Sequence, residues 1–148
     1  MPDVLLDTSF ILPTLGVGVE EVGADELETM RDVSKRTRFY CSHVSFVEIL
    51  GLLGKSRNVD DSAVRTGIKS LFESGVYRWV DPSSNAIQLA LELRRKGHKD
   101  NIDNILYSVA FDSGMLFLSL DKELKSFLQK NSYDTDIIVN IKDLPKKI

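Results

Sequence analysis

Four acidic residues, Asp7, Glu48, Asp103 and Asp121, each stand where a short apolar run gives way to a helix or where a helix begins. In an α/β domain such positions meet at one edge of the sheet, outside the carboxyl ends of the strands. Carboxylates gathered there raise one another's pKa and resist ionising together unless a cation compensates them. The expected chemistry is therefore that of a divalent-metal site. The single Cys41, with only His43 and His98 beside it, does not make a zinc site, so oxygen must hold the metal. Hard oxygen ligands point to Mg²⁺ or Mn²⁺, which keep several waters and take substrate phosphate into open positions.

Each acid also has a purely local reading. Ser45-Phe46-Val47-Glu48 matches a capping box, in which the serine caps the helix and the glutamate reaches back. Asp121, before Lys122-Glu123-Leu124, suits an N-cap, and Asp7 suits a turn or cap. Asp100 lies three residues before Asp103, so Asp100 can be the cap and Asp103 a first-turn acid favoured by the helix dipole. Ser9 after Asp7 and Ser119 before Asp121 place hydroxyls where they can orient carboxylates; both also read as ordinary turn or strand residues. Position alone does not separate capping from metal binding.

The elements that must position these groups follow from periodicity and punctuation. Strands are expected over 4–6, 38–42, 77–80, 115–120 and 137–139, the fourth being the clearest buried run. A short helix after Asp7 is interrupted by Pro13, Gly16 and Gly18, and 16–23 reads as a solvated loop or flap. Helices are expected over 24–35, 46–53, 62–73, from Ile87 to a stop at Gly97, 102–112 ending at Gly114, and 123–130. Alternating strands and helices imply parallel pairing with right-handed crossovers, hence a three-layer α/β/α sandwich around a mainly parallel sheet.

A chain of 148 residues fits one domain over 1–148. Its 43% hydrophobic and 28% charged residues are ordinary for a globular protein, and no run is long enough for a membrane span. The beginning, Met1-Pro2-Asp3-Val4-Leu5-Leu6-Asp7, lacks the basic region and apolar length of a signal peptide, so a cytoplasmic location is expected. A net charge of -3 is not the overall basic excess common in nucleic-acid binders.

Taken in order, Leu5-Leu6-Asp7-Thr8-Ser9, Ser45-x-x-Glu48-Ile49-Leu50, Asp103-Asn104-Ile105-Leu106-x-x-x-Ala110 and Leu118-Ser119-Leu120-Asp121 resemble the PIN-domain nucleases over nearly the whole chain. The resemblance implies a PIN-like parallel sheet flanked by helices, a Mg²⁺ or Mn²⁺ site built from such acids, and endonucleolytic cleavage of RNA. Asp7, Glu48 and Asp103 match the three most typical acids and Asp121 the fourth. Ser119 stands where many members have threonine. In size the chain is similar to the toxin ribonucleases of VapBC-type pairs, which implies an antitoxin partner and, as is common in the family, a homodimer. The segment between Gly16 and Arg38 is less familiar and leaves substrate recognition open.

On this reading Asp7 and Asp103 are the principal ligands, Asp121 supports a metal or orients water, and Glu48 binds metal or acts as a base. RNA has to arrive through cations outside the acidic centre. Arg94, Arg95, Lys96 and Lys99 form the densest basic run; it also reads as a solvated helix C-terminus, where cations are favoured anyway. Lys55 and Arg57 are further candidates. Competing classes are a PIN-like module without catalysis that holds RNA or assembles partners, and a stand-alone RNA-processing nuclease. A phosphoryl-accepting receiver domain fits poorly, because the doublet Glu20-Glu21 is not at a strand end. A haloacid-dehalogenase-type phosphatase also fits poorly, because Ser9 replaces its second aspartate.

Overall fold

The computed structural model describes residues 1–148. Five parallel strands, β1 (Asp3–Leu6), β2 (Arg38–Cys41), β3 (Tyr77–Trp79), β4 (Leu116–Leu118) and β5 (Ile138–Val139), form one sheet in the order β3-β2-β1-β4-β5. The helices are α1 (Thr8–Ile11), running into a 3-10 turn at Leu12–Leu15, then α2 (Ala24–Val33), α3 (Ser45–Lys55), α4 (Asp61–Glu73), α5 (Ser84–Arg95), α6 (Asn101–Ser113), α7 (Lys122–Lys130) and α8 (Leu144–Lys147). Strand side chains alternate between faces, and the core divides accordingly. Val4 and Leu6 pack with Phe10, Ile49, Leu71 and Leu144 on one side, while Leu5 packs with Leu93, Leu106, Tyr107 and Leu124 on the other. The expected three-layer sandwich is thus present, with α5, α6 and α7 forming one outer layer.

The topology locates the crevice. From β1 the chain winds outward to β2 and β3, then returns to the other side of β1 through β4 and β5. The reversal falls between β1 and β4, where a parallel sheet opens at the carboxyl ends of its strands. Two local devices hold the surrounding helices. Gly114 ends α6 with φ at 68°, a left-handed C-cap that a Cβ would strain. Gly67 lets α4 lie directly on the 3-10 turn: a Cβ there would sit 2.3 Å from the Thr14 carbonyl oxygen.

Three expectations change. β4 is shorter than 115–120, because the chain leaves the ladder after Leu118, where the Ser119 hydroxyl bonds to Asp7 and to the Asp121 amide. The segment 16–23 is largely exposed, as a solvated loop should be, but it is not irregular: Val19 and Val22 close an antiparallel bridge around Glu20-Glu21, and Val22 is buried. Helix α8 was not foreseen, since its proline and lysines carry little helical periodicity and only Leu144 is buried.

Candidate functional site

Asp7 directly follows β1, and its own amide donates to the Leu118 carbonyl at 3.0 Å, tying it to β4 across the switch point. Its carboxylate accepts from the Thr8 amide at 2.7 Å and from the Ser119 hydroxyl at 2.7 Å. The residue is only 7% exposed. Burial pushes its pKa up against those two donors, and the charges of Asp121 and Asp100 push in the same direction. A carboxylate seated this firmly, yet held above its ordinary range, is one that a bound cation would favour in its ionised form.

Glu48 lies in the first turn of α3. The capping-box reading fails here: Val44 is the N-cap without a side-chain bond, and the buried Ser45 hydroxyl has no hydrogen-bond partner. Glu48 is therefore free of a capping duty and approaches the start of α6 instead. One carboxylate oxygen from each of Glu48, Asp100 and Asp103 lies within 4.8 Å of the others. Burial, then Asp7, Asp100 and Asp121, raise the Glu48 pKa.

Asp100 is the N-cap of α6, accepting from the Asp103 amide at 3.0 Å. Asp103 follows in the first turn, 6% exposed, and its pKa is pushed up to about 10. Burial is the largest cause; next comes a hydrogen bond with Asp121, in which the protonated Asp103 carboxyl is the donor, and then the charges of Asp7 and Asp100. Asp121 caps α7 and accepts from the Leu124 amide at 3.0 Å. Burial pushes Asp121 up, but the bond from Asp103 and the helix amides outweigh it and hold the group below its ordinary value. The two acids are thus pushed in opposite directions, Asp103 up and Asp121 down.

These groups line one cleft of about 270 Å³, bordered by Asp7, Ser9, Glu48, Asp103 and Asp121, together with Asp100, Glu21 and Leu120. No lysine or arginine lines it. Ser119 lies just behind, bonding Asp7; Ser9 lines the cleft, yet its hydroxyl bonds none of the acids. Two residues were not assigned from sequence. Asp100 had been set aside as the cap, but it reaches the cluster while capping. Glu21 sits at the tip of the bridged turn, and the spaced valines around it were the available signal. The basic run does not border the cleft. Arg94 donates to the Lys99 carbonyl at 2.6 Å, and Lys96 pairs with Glu92 at 3.3 Å beside the Tyr133 ring. An all-oxygen donor set, crowded until it retains a proton, suits a hard divalent ion such as Mg²⁺ or Mn²⁺.

No protein-family model matches the chain, and no curated protein matches it by sequence. Solved structures do match it. VapBC2 of Rickettsia felis, bound to a DNA fragment from its promoter, superimposes with a TM-score of 0.66 at 15% identity, over 93% of this chain and 98% of that one. PAE2754 of Pyrobaculum aerophilum gives 0.62 at 18% identity, over 99% and 88%. VapC20 of Mycobacterium tuberculosis, a toxin that cleaves the sarcin-ricin loop, gives 0.57 at 18% identity, over 83% and 93%. No helix of this chain is long and apolar enough to cross a membrane. Sheet order, crevice and these superpositions agree that the chain has the VapC-like PIN-domain fold.

Proposed function

We propose that the chain is a Mg²⁺- or Mn²⁺-dependent endoribonuclease, acting as the toxin of a toxin-antitoxin pair. The observation that carries this reading is the meeting of Asp7, Glu48, Asp100, Asp103 and Asp121 in one cleft, lined by no lysine or arginine, at the β1/β4 crevice. The likeness to structures of a VapBC complex and of a toxin that cleaves the sarcin-ricin loop supports the choice of RNA as substrate and of an antitoxin as partner. Asp7, Glu48, Asp100 and Asp103 would hold the ion, with Ser119 and the Thr8 amide keeping Asp7 in place. When bound, the ion supplies Lewis-acid charge at the scissile phosphate.

The residues themselves divide the remaining work. Asp121, whose pKa the bond from Asp103 and the amides of α7 lower, orients the attacking water and accepts its proton. The water oxygen forms the new bond to phosphorus, the ester bond to the leaving ribose oxygen breaks, and that oxygen takes a proton from solvent. Asp103 would have to give up its own proton to serve as a ligand, which would link ion binding to proton release. The test is RNA cleavage by the purified chain with Mn²⁺ and with EDTA, comparing wild type with Asp7→Asn. Cleavage that needs Mn²⁺ and is lost in the variant is expected; a variant cleaving at the wild-type rate would remove this site from the reaction.

A further inference from the structure

A second cleft, of about 470 Å³, shares Leu120 and Asp121 with the acidic one and runs along α7 toward α8. Unlike its neighbour, it carries cations. Lys122, Lys125 and Lys147 line it, and none of the three pairs with a carboxylate. Lys122 and Lys125 are three residues apart on one helix, so their stems rise from the same face roughly 5–6 Å apart. Gln129, Thr135 and Asn140 add neutral polar groups to the walls. Besides the shared Asp121, two aspartates line it: Asp143 is held by the Asn140 amide at 2.8 Å, and Asp136 belongs to the exposed turn before β5.

We infer that this lysine-lined groove is the track for the RNA strand flanking the scissile phosphate, with Lys122, Lys125 and Lys147 contacting successive phosphates. The inference rests on the nuclease reading of the acidic cleft and names where that site's substrate lies. Six acids and no lysine or arginine line the acidic cleft, so beyond the ion's own contact with the scissile phosphate the energy that holds a polyanion must come from an adjoining surface. The lysine groove is the cleft that adjoins it through a site residue, Asp121, whereas the run Arg94 to Lys99 borders neither cleft. Gln129 and Thr135 stand where an unstacked base could be hydrogen-bonded, which favours a single strand over a duplex.

The experiment measures binding of a short fluorescein-labelled single-stranded RNA by anisotropy, in a potassium chloride series. It uses an Asp103→Asn background so that the probe stays intact. Replacing Lys122, Lys125 and Lys147 together by glutamine should weaken binding by about tenfold or more and flatten the salt dependence by about two counterions. Arg94→Gln with Arg95→Gln should change neither. Unchanged RNA binding in the triple variant, or loss only in the Arg94/Arg95 variant, would overturn the groove. So would a triple variant that keeps RNA and loses only an oligoglutamate peptide, which would mark a protein-docking cleft. Cleavage by the otherwise native chain separates the two readings. Mn²⁺-dependent cleavage with lysine-independent binding leaves the nuclease and removes the groove; lysine-dependent binding without any cleavage leaves an RNA groove and removes the nuclease.

Discussion

The starts of α6 and α7 use the same residue type for opposite ends. Each is capped by an aspartate whose oxygen accepts an amide three residues on, Asp100 from Asp103 and Asp121 from Leu124. Yet the acid that matters at α6, Asp103, is pushed up to about 10, while Asp121 at α7 is held low. The difference lies first in burial and then in the direction of hydrogen bonds. Asp103 faces the other acids from a more buried position, whereas Asp121 receives a bond from Asp103 and, after it, the amides at the start of α7. A helix N-terminus therefore does not by itself ionise a first-turn acid: burial and its hydrogen-bond partners decide.

The largest expected effect breaks the comparison at its functional level. If Asp103 is a ligand and Asp121 the acceptor of the water's proton, the two neutral variants should fail differently. Asp103→Asn should lose cleavage together with Mn²⁺ binding. Asp121→Asn should keep most of its Mn²⁺ binding and lose about 10²–10⁴ in cleavage rate. Calorimetric Mn²⁺ titration beside an RNA-cleavage assay checks this. Equal loss of Mn²⁺ in both variants would make Asp121 a ligand as well.

The next effect is on stability and has a defined sign. Asp103 has a folded pKa of about 10 against an ordinary value of 3.8, so between these values unfolding releases its proton. Its contribution is fully present below about pH 4 and is lost as pH rises toward 10, at no more than about 1.4 kcal/mol per pH unit. Asp121 acts the other way: its pKa is lowered, so its contribution is present above 3.8 and lost as pH falls below it. Metal-free protein should accordingly melt at a lower temperature at pH 9 than at pH 6. Asp103→Asn should flatten that slope, and saturating Mn²⁺ should reverse it by favouring the ionised acid. A slope unchanged in Asp103→Asn would place the extra proton elsewhere.

Much of this arrangement was legible in the chain. The β1 and β4 runs, the stops at Gly97 and Gly114, and the order of the acids rest on local signals: buried apolar runs, helix punctuation and strand-to-helix changes. What was illegible depends on contacts distant in sequence. Ser45 spaced from Glu48 is a capping box on paper, but the backbone enters α3 already helical at Val44, so Ser45 is not the cap. Asp100 read as a cap and Asp103 as the site acid because one dimension offers each residue one role; in three dimensions the cap reaches the cluster too. The lysines of α7 were not singled out, because the groove they line is closed by β5 and α8, which lie further along the chain.

A smaller effect sharpens the double role of Asp100. Asp100→Ala removes a cap, worth about 1 kcal/mol, and also removes a charge that raises Asp103 and Glu48. Asp100→Ser removes the charge and keeps a capping oxygen. The serine variant should match or exceed wild type in thermal stability, the alanine variant should fall below the serine one, and both should bind Mn²⁺ more weakly. If alanine and serine melt together, the cap contributes nothing and Asp100 serves the cluster alone.

The smallest effect concerns the one acid that no helix or strand carries. Glu21 is exposed at the tip of the Val19–Val22 turn, while the other acids stand on helix starts or strand ends. Its loss should leave stability within about 0.5 kcal/mol, as for other exposed substitutions away from special features. Its carboxylate nevertheless adds negative charge to a rim that incoming phosphate must cross, so Glu21→Gln should lower KM for RNA more than it changes kcat. The effect should fade as salt is raised, because charges at the surface are screened within roughly 10 Å at 0.1 M. A salt-independent fall in kcat would instead make Glu21 a working member of the metal site, and acids on loops and on helices would no longer be distinguished by what they do.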